Sequence, residues 1–143
     1  MTGFVYIATP YTKYPDGITQ AFVDACKVTA QFVRRGISAY SPIAHCHPVA
    51  THGGINPLDC ALWLKFDQAI MDAASELYVI QMPGWDDSAG ITHEIDHFRK
   101  AGKPVSFFSW PEHEDGRESF AGRKYNERSR AAARRADQES TAT

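Results

Sequence analysis

Apolar positions along the chain switch between two spacings, and the switching sets out the order of elements. Phe4-Val5-Tyr6-Ile7-Ala8-Thr9 is a short apolar, β-branched and aromatic run closed by Pro10, and reads as a buried strand. From Ile18 to Arg35 the period lengthens. Ile18, Ala21, Phe22, Ala25, Val28, Thr29, Phe32 and Val33 keep one stripe at i, i+3, i+4 and i+7, which predicts a helix. Gly36, after the basic pair Arg34-Arg35, stops it. Ile37 to Ser41 reads as a second, weaker strand. His45 to Pro57 is rich in His, Gly and Pro and reads as a loop; a helix from about Leu58 to Ala74 follows. Glu76 to Met82 is the third strand, ended by Pro83-Gly84. A helix from Ser88 to Ala101 stops at Gly102, and Lys103 to Phe108 is the fourth strand. Strands alternating with helices imply a parallel sheet with right-handed crossovers. The expected fold is a three-layer α/β sandwich with a parallel sheet, of flavodoxin-like or Rossmann-like type.

Glu94 interrupts the pattern. Ile91, Ile95 and Phe98 share one helical face, and Glu94 lies among them. A carboxylate on an apolar face is costly unless it has partners or a task. It follows a Gly-rich, acidic turn from Pro83 to Gly90, which in a parallel sheet lies at the carboxyl end of a strand, where ligands bind. Asp67 repeats the theme, with Trp63, Leu64, Ile70 and Met71 as its helical neighbours. Tyr6, on the first strand, can bring a phenol to the same edge. Two carboxylates and a phenol are the parts used for nucleophilic and acid–base work at a glycosidic carbon. The alternatives are an Asp67 satisfied by a backbone N–H or a Lys, and a Tyr6 that is plain core.

Ser88 precedes a helix, as an N-cap does. Followed by Gly90, it also leaves backbone N–H groups free to hold a phosphate. The Walker A loop and the GxGxxG fingerprint are both absent, which disfavours ordinary ATPase and NAD-dehydrogenase chemistry. His45, His47 and His52, with Cys46 and Asp59, match no standard zinc spacing, so no metal and no cofactor is expected. His47 is read instead as an imidazole at the rim of a pocket. Trp85 either stacks on a ligand ring or closes the core.

At 143 residues the chain is long enough for one domain with a real core. That domain is placed at residues 1–110. After Trp110 the large apolar residues thin out to Phe120 and Tyr125, and arginines dominate. Residues 111–143 read as a charged tail, partly disordered or helical; the alternative is an arm that docks on a neighbouring subunit or an anionic ligand. The net charge of −2 gives no global reason to expect a nucleic-acid polymer or an anionic membrane as partner. No apolar run approaches a membrane span, and the first residues lack a basic stretch followed by an apolar one, so the expected location is the cytoplasm. Cys26, Cys46 and Cys60 show no CxxC spacing and read as buried or idle thiols.

Three motifs in order carry a resemblance. They are Val5-Tyr6-Ile7-Ala8-Thr9-Pro10; Asp67 placed eight residues before Ser75; and Ser88-x-Gly90-x-x-x-Glu94 followed by Gly102-Lys103-Pro104-Val105. From about Phe4 to Phe108 the chain resembles the nucleoside 2-deoxyribosyltransferase superfamily, which includes 2'-deoxynucleoside 5'-phosphate N-hydrolases and the CMP and hydroxymethyl-CMP hydrolases. The Pro83 to Ile91 segment looks like a small bacterial and phage branch of it. The resemblance implies that Glu94 is the nucleophile at C1', that Asp67 helps protonate the leaving base or orients the sugar, and that Tyr6 positions the nucleophile. Ser88 matches the serine with which the nucleotide hydrolases contact phosphate, where the transferases tend to carry Asp. Gly90, Thr9, Pro10, Tyr11, His47 and Trp85 complete the expected substrate-binding set. The implied activity is cleavage of the N-glycosidic bond of a nucleoside 5'-monophosphate. Base exchange by a deoxyribosyltransferase, and a non-catalytic nucleotide sensor, are the alternatives. The implied assembly is a homo-oligomer, with the Leu58–Ala74 helix and the Arg-rich tail as contact surfaces. The chain departs from the superfamily at Glu94-Ile95-Asp96, where Glu-Leu-Gly is usual, in the loop Tyr11–Gly17 and in the segment His45–His52.

Overall fold

Among the described residues every strand is parallel, and every strand-to-strand connection passes through helix. The structure, a computed structural model, describes residues 3–110; the expectations for residues 111–143 lie outside the described residues. Strands β1 (Val5–Ala8), β2 (Ala39–Tyr40), β3 (Glu76–Gln81) and β4 (Val105–Ser109) pair in the order β2-β1-β3-β4. The register sets Tyr6 beside Tyr40 and Leu77, and Val79 beside Phe107. The fold class is the α/β sandwich expected from the alternation.

Side chains alternate across the sheet, and both faces are covered, as a parallel sheet requires. Val5, Ile7, Ile80 and Phe108 face helix α1 (Ile18–Arg34), meeting Ala21, Val28 and Phe32. Tyr6, Ala8, Leu77, Val79 and Phe107 face the other way. They meet Met71 of α3 (Cys60–Ala73) and Ile91, Ile95 and Phe98 of α4 (Ala89–Lys100). Burial of these two faces at roughly 25 cal/mol per Å² is the main force holding the three layers together. Lys103 fastens one joint. Its ammonium donates to the carbonyls of Met71 (3.1 Å) and Asp72 (2.6 Å), near the end of α3. The Gly102-Lys103-Pro104 motif is thus a structural clamp between α3 and β4.

One element departs from expectation. The segment read as a loop from His45 to Pro57 is largely helix, α2 (Pro42–Gly53). Ser41 caps it by accepting from Ala44 N at 3.1 Å, Pro42 occupies the first turn, and Gly54 closes it at φ 73°. Cys46, His47 and Ala50 form its buried stripe. The interior Pro48 and the low apolar content hid this stripe. Elsewhere the boundaries move by a residue or two, and β2 shrinks to Ala39–Tyr40.

The sheet order creates a crevice. The chain leaves β1 towards β2 on one side, and leaves β3 towards β4 on the other. The carboxyl ends of β1 and β3 are therefore the switch point, the place where open α/β sheets bind ligands.

Candidate functional site

A cavity of about 250 Å³ opens at that switch point. Beyond β1 the chain supplies Thr9, Pro10 and Tyr11 to its wall, and Tyr6 reaches it from within the strand. Beyond β3, Gly84 at φ 83° starts a single 3-10 turn (Trp85–Asp87) that hands the chain to Ser88, the cap of α4. Ser88, Gly90 and Glu94 then line the cavity from the α4 side. Asp67 enters from α3 and His47 from α2. Trp85 does not line the cavity. Its ring packs edge-on against Phe107 at 5.8 Å, so it serves the core.

Glu94 is 8% exposed, yet its Oε2 meets no hydrogen-bond partner among the described residues. Burial raises its pKa well above the ordinary range, and the neighbouring Asp67 charge raises it further; a hydrogen bond from the Tyr6 phenol pulls the other way. Asp24 makes the contrast. It is equally buried on α1, a position that sequence reading passed over, but Tyr14 donates to one oxygen at 2.7 Å and Gln20 to the other at 2.9 Å. Asp24 is a satisfied structural acid that pins the Tyr11–Gly17 loop. Glu94 keeps one oxygen bare in a cavity wall, and native structures rarely tolerate that without a reason. Thr9 Oγ1, also buried and lining the cavity, is bare in the same way.

Asp67 titrates at about 6, pushed up by burial and held back by a hydrogen bond from Cys46 and by the nearby His45. The Cys46 thiol lies 3.6 Å from Asp67 Oδ1. Both acids are raised, by burial first, and the Asp67 charge adds to the shift of Glu94, so the two titrate as a coupled pair. The Tyr6 phenol is raised by its own burial and by both carboxylates, and remains protonated.

The remaining expected residues have definite places. Tyr11 Oη and His47 Nδ1 share a hydrogen bond of 2.6 Å, and Phe22 stacks on the imidazole at 4.7 Å. Burial and His52 lower the His47 proton affinity, so the ring is neutral near pH 7. Ser88 Oγ accepts from Ile91 N at 3.3 Å, which leaves its own hydrogen free to donate. A Cβ on Gly90 would stand 3.8 Å from both Glu94 Oε1 and Ser88 Oγ, so glycine leaves the space between these two oxygens open. His45 instead stacks on Phe66, and His52 is exposed. Among the described residues no three His, Cys, Asp or Glu side chains are grouped as metal ligands.

Sequence reading missed Lys13, Cys46, Trp63 and Leu64 as lining residues. The aromatic and Leu were assigned to core packing and the thiol to idle burial. The signal available for Cys46 was its place with Ile43, His47 and Ala50 at helical spacing. Lys13 carried no signal. It stands at the rim, 3.7 Å from Asp87, both side chains largely exposed.

Fold and site together define a parallel α/β domain with an acidic pair in its switch-point crevice. The chain belongs to the family described as a domain of unknown function, DUF1937, whose profile matches residues 3–110. No curated protein matches the chain. No helix among the described residues is long and apolar enough to cross a membrane.

Proposed function

We propose that this domain cleaves the N-glycosidic bond of a nucleoside 5'-monophosphate, in the manner of the nucleoside 2-deoxyribosyltransferase superfamily it resembles. The observation that carries the reading is the buried Glu94 with a bare oxygen, its other oxygen 3.8 Å from where a Gly90 side chain would begin, in a cavity shared with Asp67 and Tyr6. Glu94 attacks C1' as the C1'–N bond breaks, and Asp67 gives its proton to the departing base. Water then attacks C1' of the glycosyl-enzyme, Asp67 takes the water's proton, and Glu94 leaves as a carboxylate. Tyr6 holds the nucleophile by its hydrogen bond. Attack needs the charge on Glu94 and the proton on Asp67, while burial disfavours the charged form of both. The positive charge that develops at C1' supplies the bias.

A phosphate is supported at the α4 end. The first N–H groups of α4 have no preceding carbonyl to meet, Ser88 has a hydrogen to donate, and Lys13 brings a cation to the same rim. The same groups support hydrolysis over base exchange, since the transferases of the superfamily tend to carry Asp at the place of Ser88. Assembly as a homo-oligomer is supported by α3, which exposes Leu62 (45%) and Phe66 (44%) outside the cavity lining, with Leu58 just ahead of it (45%).

A non-catalytic nucleotide sensor is favoured by one observation: the burial of Glu94 disfavours the anion that attack requires. Incubation with a panel of nucleosides and their 5'-monophosphates separates the two. Released base supports the enzyme. A ligand-dependent rise in melting temperature with no base released from any member overturns it in favour of the sensor.

A further inference from the structure

Asp67 is the one acid of the pair held by a side chain that no expectation assigned a role. Cys46 comes from α2, 21 residues away in sequence, and is 8% exposed. Its Sγ lies 3.6 Å from Asp67 Oδ1 and 3.9 Å from His45 Nδ1. Burial, then the Asp67 charge, pushes the thiol up to about 12, so it remains an S–H donor at any working pH. That removes it from the nucleophilic and redox-active thiols, which need a thiolate. It also explains why a thiol suits the place. An S–H is a weak donor. It orients a carboxylate without stabilising the anion as strongly as a hydroxyl would, and an acid that must hold a proton benefits from that restraint.

We propose that Cys46 is the positioning residue for Asp67: its thiol, donated to Oδ1 from α2, holds that carboxyl at the cavity wall in the orientation from which it serves the leaving group. The inference rests on the N-glycosidase reading for its catalytic meaning, and on the Cys46–Asp67 contact alone for its geometry. The other groups facing Asp67 are His45 from α2, Tyr6 from β1, Tyr40 from β2 and Glu94 from α4. They stay in place in the variants that test Cys46.

The test uses full-length Cys46→Ser and Cys46→Ala, with carboxyl carbon NMR titration of Asp67 and pH profiles of base release. Melting temperature confirms that each variant is folded, and the near-isosteric Ser variant keeps the test open if the Ala variant does not fold. The hydroxyl is the stronger donor, so Cys46→Ser moves the Asp67 titration to lower pH, and Cys46→Ala moves it to higher pH, each by roughly half a unit or more. The acidic limb of kcat/KM moves with it, and kcat falls more than KM changes in Cys46→Ala. An Asp67 titration unmoved in the folded variants, or moved in the same direction by both, overturns the proposal. A wild type that releases no base refutes the enzyme reading separately, because the titration reads the contact without turnover.

Discussion

Replacing Glu94 with Gln tests the site most directly, because the proposed function and the burial of the carboxylate have two separable consequences. The first is chemical. The substituted amide keeps the shape and can still accept from Tyr6, but it cannot form the glycosyl-enzyme. Losing a covalent nucleophile costs on the order of 5 kcal/mol of transition-state stabilisation, several thousand-fold in rate. The second is thermodynamic. Glu94 is held protonated well above the ordinary glutamate range, so its folded value exceeds its unfolded one. The stability this contributes is fully present below the unfolded value, about 4.3, and is lost as pH rises towards the folded value. In that window the native state holds a proton the unfolded chain has released, a slope of about 1.4 kcal/mol per pH unit. Glu94→Gln has no such proton and lacks that slope. The new amide N–H group replaces an oxygen that already had no partner, so the added cost of an unsatisfied atom is about 1 kcal/mol or less. The assay is base release by chromatography from the best monophosphate of the panel, with melting temperature from pH 5 to 8 on both proteins. Expected are turnover reduced by at least about a thousand-fold and a melting temperature that falls less with pH than that of the wild type. Wild-type-like turnover in the variant would end the nucleophile assignment, and an unchanged pH slope would end the argument from burial.

Three further outcomes are expected, two at the cavity and one on the outer face of α3. In the proposed mechanism the pair works with one proton, so kcat/KM rises through about pH 6, where Asp67 titrates, and declines at higher pH as the pair's remaining proton leaves; a profile flat from pH 5 to 9 contradicts this. Lys13→Ala raises KM for a monophosphate by about tenfold, the worth of one charge-assisted hydrogen bond, and leaves KM for the matching nucleoside alone; equal effects on both refute a phosphate at the rim. Leu62→Glu with Phe66→Glu places charge on the exposed face of α3, and light scattering at micromolar concentration then reports a monomer in place of the wild-type oligomer; a wild type that is itself monomeric refutes the assembly.

The spacing of apolar residues determined the strand and helix order, because a parallel sheet covered on both faces demands apolar strands between amphipathic helices. It also exposed Glu94, since a charge at a core position of α4 is visible without coordinates. α2 was misjudged because its cap, Ser41-Pro42, and its sparse stripe were outweighed by Pro48 and the surrounding His and Gly. Trp85 was ambiguous because a turn residue's direction depends on backbone angles such as that of Gly84, which no periodicity reports. Asp24 and Glu94 look alike in sequence, as acids on buried helical faces. Only the packing of a distant loop against α1, which brings Tyr14 to Asp24, makes one structural and leaves the other bare in a cavity. Cys46, Asp67 and Glu94 come from three helices, and no local pattern encodes their meeting. Tertiary structure decided it, because burial and hydrogen-bond partners are set by what the sheet order brings together, and those same partners shift the proton affinities on which the proposed chemistry depends.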